Sequence, residues 1–125
     1  MKIFTMLATL MLTTPVAAQE LVGSYVAYIG EDDLYNSRGA RLSEPWQVLR
    51  QDRANFHRFG ISQLGDEWDP FFADVENRAI MEQMVQRGTI DPASRRDLLS
   101  GGATVLVRIF SRGNQGDYVE IAVVR

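Results

Sequence analysis

The feature that most constrains the fold is a change of period near residue 102. Upstream of it, three segments open with the same helix-start grammar: Ser43 before Pro45, Asp69 before Pro70, and Asp91 before Pro92. A short side-chain oxygen there accepts from an orphan backbone N–H, and a proline in the first turn removes an N–H that has no partner anyway. Each segment stops at glycine, which closes helices at little steric cost. The spacing predicts a helix from Ser43 to about Arg58 ahead of Gly60. A second is expected from Pro70 to about Arg87 ahead of Gly88, and a short third from Pro92 to Leu99 or Ser100 ahead of Gly101-Gly102. Downstream the side chains alternate instead. Val105, Val107 and Ile109 share one face, with Leu106, Arg108 and Phe110 on the other. Ser111 to Gly116 is turn chemistry, and Tyr118 to Val124 alternates again around Val119, Ile121 and Val123. That pattern is a β-hairpin.

A third strand is expected from Leu21 to Ile29, which is rich in Val, Tyr and Ile and ends at Gly30. Between this strand and the first helix, Asn36-Ser37-Arg38-Gly39 fits a type I turn closed by a left-handed glycine. An isolated hairpin is marginal in water, so the N-terminal strand is expected to join the C-terminal pair. The fold class that follows is α+β: a small antiparallel sheet, made of the N-terminal strand and the C-terminal hairpin, packed against about three helices.

The first eighteen residues speak of address. Lys2 precedes an apolar run from Ile3 to Leu12, Thr13-Thr14-Pro15 breaks it, and Val16-Ala17-Ala18 places small residues at a cleavage position. This is the layout of a secretory signal peptide, and its apolar run falls short of the roughly 20 residues needed to span a bilayer. The expected organisation is a signal peptide over 1–18 and a single globular domain over 19–125, periplasmic or secreted after cleavage near Ala18. Removing eighteen of 125 residues leaves 107, enough for a core without covalent staples. There is no cysteine, hence no disulfide and no lipidated cysteine to serve as a stable membrane anchor. Loss of Lys2 takes the formal charge from −3 to −4 and leaves arginine as the sole basic residue apart from His57. A mildly acidic chain has no electrostatic pull toward nucleic acid.

The densest candidate for chemistry is the run Arg50 to Arg58. On a helix, Val48, Leu49, Phe56 and Phe59 form an apolar arc with Trp46 at its edge. Asp52 falls inside the arc, and Arg50, Arg53 and His57 fall together beside it. A carboxylate on an apolar face needs a partner. Either Asp52 is an architectural pair for an arginine, or it orients an arginine or His57 in a site where the arginines hold an anion. Arg50, Asp52, Arg53 and His57 are therefore the candidate binding residues.

A single histidine without cysteine cannot assemble the usual zinc set. The acidic stretches Glu31 to Asp33 (with Asn36) and Asp66 to Asp69 lack EF-hand spacing. No nucleophile elbow or phosphate loop is present, so no catalytic residue, metal or cofactor is assigned. The reading that follows is a small exported non-catalytic binding or accessory module, acting on an envelope protein or a small anionic ligand. The alternative is a small hydrolase or lyase using Asp52 and His57, with Arg50 or Arg53 as anion holder.

Overall fold

Alternation along three segments builds a sheet with one buried and one open face. In the computed structural model, which describes residues 2–6, 8–11 and 19–125, strand β1 (Gln19–Ile29) runs antiparallel to β3 (Ala103–Arg112), and β3 antiparallel to β4 (Gln115–Val123). The expected cleavage position after Ala18 lies outside the described residues. Register places Tyr25, Val107 and Ile121 side by side, with Ala27, Val105 and Val123 in the next row. These side chains turn toward the helices and form the core with Ile29, Ile109 and Val119, Val123 packing partly buried at its margin. On the open face, Arg108 pairs with Glu120 at 3.6 Å and the Phe110 and Tyr118 rings stack at 4.6 Å. The protein is thus a single small cysteine-free α+β domain.

The sheet has a fourth member that sequence pattern did not register. Strand β2 (Thr89–Ile90) lies parallel to β4, giving the order β1-β3-β4-β2 and a mixed sheet. Two residues carry too little periodicity to announce a strand; β2 exists because Gly88 lets the backbone reach Val119.

Helix α1 (Pro45–Ala54) starts one residue later than expected, with Glu44 as its N-cap. The Gln47 side chain explains the shift, because its Oε1 accepts from the backbone N–H of both Ser43 and Glu44 at 3.1 Å. After Ala54 the chain widens into a π turn, Asn55–Phe59, closed by Gly60 at φ 66°. The π turn uses i→i+5 bonds and shifts the facing of later side chains. Phe59 consequently leaves the apolar arc and stands 49% exposed, whereas Val48 and Leu49 stay buried.

The expected helix from Pro70 to Arg87 is two pieces, α2 (Val75–Ala79) and α3 (Met81–Arg87). Asp69 does cap a turn there, accepting from Phe72 N at 2.6 Å, but the helix begins only after Asp74, which accepts from Glu76 N at 2.8 Å. Arg78 holds the intervening carbonyls of Phe72 and Ala73 with Nη1. Helix α4 (Pro92–Ser100) has the expected Asp91 cap. In the assembled layer α3 lies against β4, and α1 packs on α3.

The outer edge of β1 is covered by a loop rather than a strand. Val26 N donates to Glu67 Oε1 at 2.7 Å, Glu67 N donates back to Val26 O at 2.8 Å, and Tyr28 N donates to Asp66 Oδ1 at 2.8 Å. Carboxylates here occupy strand-edge donors that would otherwise recruit a foreign strand. Asp66 Oδ2 also accepts from Gln63 N at 2.8 Å, which shapes the loop itself. We expect Asp66→Ala to speed hydrogen exchange at the Tyr28 and Gln63 amides while leaving Val107, in the sheet centre, protected. Equal acceleration at all three amides would mean that the loop is not a local cover.

Candidate functional site

Of the four residues singled out from the sequence, Asp52, Arg53 and His57 meet in one cage, and Arg50 stands apart. Arg53 is fully buried. Its guanidinium sits 4.0 Å from the centre of the Tyr25 ring and 4.7 Å from that of Phe56, placed by β1 and the π turn respectively. Nε donates to Asp52 Oδ2 at 2.7 Å, and Nη1 donates to Asp69 Oδ1 at 2.8 Å and to the Glu67 carbonyl at 2.9 Å. His57, one turn on, reaches the same Asp69 oxygen with Nε2 at 2.9 Å. Its ring meets Phe56 and Trp68 edge-on, with centroids 5.0 and 6.4 Å away.

The result is a closed cage in which two carboxylates and two rings surround one guanidinium. Asp52 and Asp69 are each only 1% exposed. His57 and Arg53 do come together, as the helical projection proposed, and the object they share is Asp69. Asp52 pairs with Arg53 rather than with His57. Sequence reading had assigned Asp69 to helix capping alone. It does both, since Oδ2 takes the Phe72 N–H while Oδ1 meets the Arg53 guanidinium and the His57 ring. Tyr25 carried no signal beyond strand propensity, and only the sheet register brings it over the guanidinium.

Electrostatics in the cage favour neutral acid at Asp52. Burial pushes its carboxyl from the ordinary 3.8 up to about 7, opposed by the attraction of Arg53 and reinforced by the charge of Asp33. Its Oδ1 has no hydrogen-bond partner among the described residues, nor have Arg53 Nη2 and the Tyr25 hydroxyl, which leaves part of the desolvation uncompensated. An unfolded Asp52 releases its proton near pH 4, whereas the folded one retains it to about 7. Over that interval the native state holds more protons, so this group's contribution to stability is full below pH 4 and is lost as pH rises through 7. Urea unfolding of the wild type and Asp52→Asn at pH 5 and pH 8 checks this. The wild type should lose more stability between the two pH values than the variant, and parallel profiles would refute the shift.

Asp33, Asp66, Glu67 and Asp69 of the acidic stretches are committed to the fold, whereas Glu31 and Asp32 are exposed. Asp33 is buried and accepts from Gly30 N at 3.0 Å and from Asn55 Nδ2 at 2.9 Å. Burial raises its carboxyl pKa despite those bonds. Asp66 and Glu67 hold the edge of β1, as described above. Among the described residues, no group of three or more His, Cys, Asp or Glu side chains is placed to hold a metal ion.

The surface clefts lie away from the cage, and two of them flank α1. One, of about 430 Å³, is lined by Tyr35, Asn55, Phe59 and Ile61 together with Glu31 and Asp32. The other, of about 200 Å³, lies between the outer side of α1 and α2 and is lined by Arg50, Arg58 and Arg78. Arg50 was a sequence candidate. Arg58 and Arg78 were not, because nothing local joins a residue of the π turn to one on α2. Comparison with protein-family models, with characterised proteins and with solved structures finds no match to this chain.

Proposed function

We propose that the chain is an exported, non-catalytic binding module that acts by contact in the cell envelope. The observation that carries this reading is the closure of the Asp52–Arg53–Asp69–His57 cage. A catalytic acid–base pair has to converge on a space that a substrate can enter. Asp52 and Arg53 instead spend their interactions on each other, on Asp69 and on the Glu67 carbonyl, and neither lines the two clefts. Buried paired charge of this kind serves architecture more readily than turnover. Export rests on the sequence of residues 1–18 alone.

The test uses the mature protein and His57→Ala. Both should capture the same envelope component, identified by mass spectrometry, in stoichiometric amount, and both should be inert toward chromogenic ester, phosphoester and glycoside substrates. Turnover by the wild type that disappears in His57→Ala would replace this reading with the hydrolase or lyase alternative.

A further inference from the structure

Arg78 is a buried cation without a counter-ion. It is 8% exposed, and among the described residues no carboxylate forms an ion pair with it. Nη1 is used on the carbonyls of Phe72 and Ala73, while Nε and Nη2 have no protein partner among the described residues. A guanidinium carries five N–H donors in a fork suited to oxyanions. In Arg78 the Nε and Nη2 are not sealed among protein atoms, so these donors are open to water or to an anion that enters the cleft.

Its neighbours sharpen the point. Arg50 and Arg58 line the same cleft, and neither forms an ion pair with a described carboxylate. Each is held by an aromatic ring, Arg50 over Trp46 at 4.8 Å and Arg58 over Phe59 at 4.9 Å. Stacking fixes the plane of a guanidinium without consuming its in-plane donors. The rest of the lining is Gln51, Ala54, Val75 and Ala79, with no acidic side chain among them. In an acidic chain with 16 Asp and Glu against 13 Lys and Arg, three uncompensated arginines around one small cleft are a local reversal of charge.

We propose that this cleft binds a small tetrahedral oxyanion, phosphoryl or sulfuryl, with Arg78 as its buried anchor and Arg50 and Arg58 as its outer clamps. The inference rests on the binding-module reading and supplies it with a ligand class. A dianion answers the accumulated positive charge better than a carboxylate does. The cleft volume of about 200 Å³ suits the anionic group with a small substituent rather than a polymer segment.

The experiment is titration of the mature protein with inorganic phosphate, sulfate and acetate at constant ionic strength, followed by amide and arginine Nε NMR shifts and by calorimetry. Phosphate or sulfate should give saturable shifts centred on Arg50, Ala54, Arg58, Arg78 and Ala79, and the tighter of the two identifies the group. Arg50→Gln and Arg58→Gln should each weaken binding by roughly tenfold with an unchanged melting temperature. Both side chains are exposed, so these variants test the site without touching the core; Arg78→Lys, which keeps the charge and loses the fork, should weaken it further.

Acetate binding as tightly as phosphate would overturn the proposal. So would phosphate affinity that survives the Arg50→Gln/Arg58→Gln double variant. Sedimentation with phosphatidic acid vesicles but no response to inorganic phosphate would overturn it in favour of a membrane surface. If no anion binds while the His57→Ala protein still captures its envelope component, the site falls and the binding-module reading stands. Turnover of a phosphomonoester in the cleft would remove both.

Discussion

Replacing Arg53 with methionine should lower the stability of the domain by about 3–5 kcal/mol, the largest effect expected of any polar side chain in it. The reason is what remains behind. Asp52 and Asp69 are 1% exposed, and both lose the cation that they bond at 2.7 and 2.8 Å. Asp52 then has no hydrogen-bond partner among the described residues, Asp69 keeps only His57 Nε2 and the Phe72 N–H, and the Tyr25 and Phe56 rings lose the guanidinium that lies against both. Part of the damage belongs to the partners and not to the arginine, so it should be reversible at a second position. Arg53→Met/Asp52→Asn should be more stable than Arg53→Met alone, although each removes a native group. Urea midpoints with unchanged denaturant slopes measure both effects. An Arg53→Met midpoint within error of the wild type would mean that the cage is hydrated and open, contrary to its geometry.

Gly88→Ala should be nearly as damaging, at about 3 kcal/mol, for a steric reason unrelated to glycine's freedom. Its φ of −93° suits any residue. A Cβ there would lie 1.7 Å from the carbonyl oxygen of Val119 and 2.8 Å from the carbonyl carbon, both backbone atoms that cannot rotate away. The chain can accommodate the methyl only by moving the end of α3 and the start of β2 off β4. The amides of the β2–β4 ladder around Thr89, Ile90 and Ile121 should therefore lose exchange protection, while the β1–β3 ladder keeps it. Gly60 provides the contrast. It has φ 66° and open space around its Cβ position, so Gly60→Ala should carry only left-handed strain, about 1–2 kcal/mol, with no ladder affected. Equal losses at the two glycines would show that close approach at Gly88 is not what limits that site.

The candidate site was legible in part, and the parts divide by range. Asp52 stood out because helical period placed a carboxylate among Val48, Leu49 and Phe56, and burial beside Arg53 follows from that local fact. Arg53 and His57 could be seen as neighbours one turn apart for the same reason. Their common partner Asp69 lies sixteen residues from Arg53, across an irregular loop whose path no period describes. Arg50 was visible as a cation on the helix surface. Its convergence with Arg78 needed α1 to pack against α2, a contact between segments far apart in sequence.

The sequence by itself determined the three long strands and their faces, the first and last helices and the absence of disulfides, because periodicity, caps and composition act over a few residues. Tertiary structure alone decided the rest: the parallel attachment of β2, the loop that seals the edge of β1, the closed cage around Arg53 and the gathering of three arginines at one cleft. These depend on backbone and side-chain groups far apart in sequence being brought together. Such meetings are set by packing of the whole domain, and no local pattern encodes them.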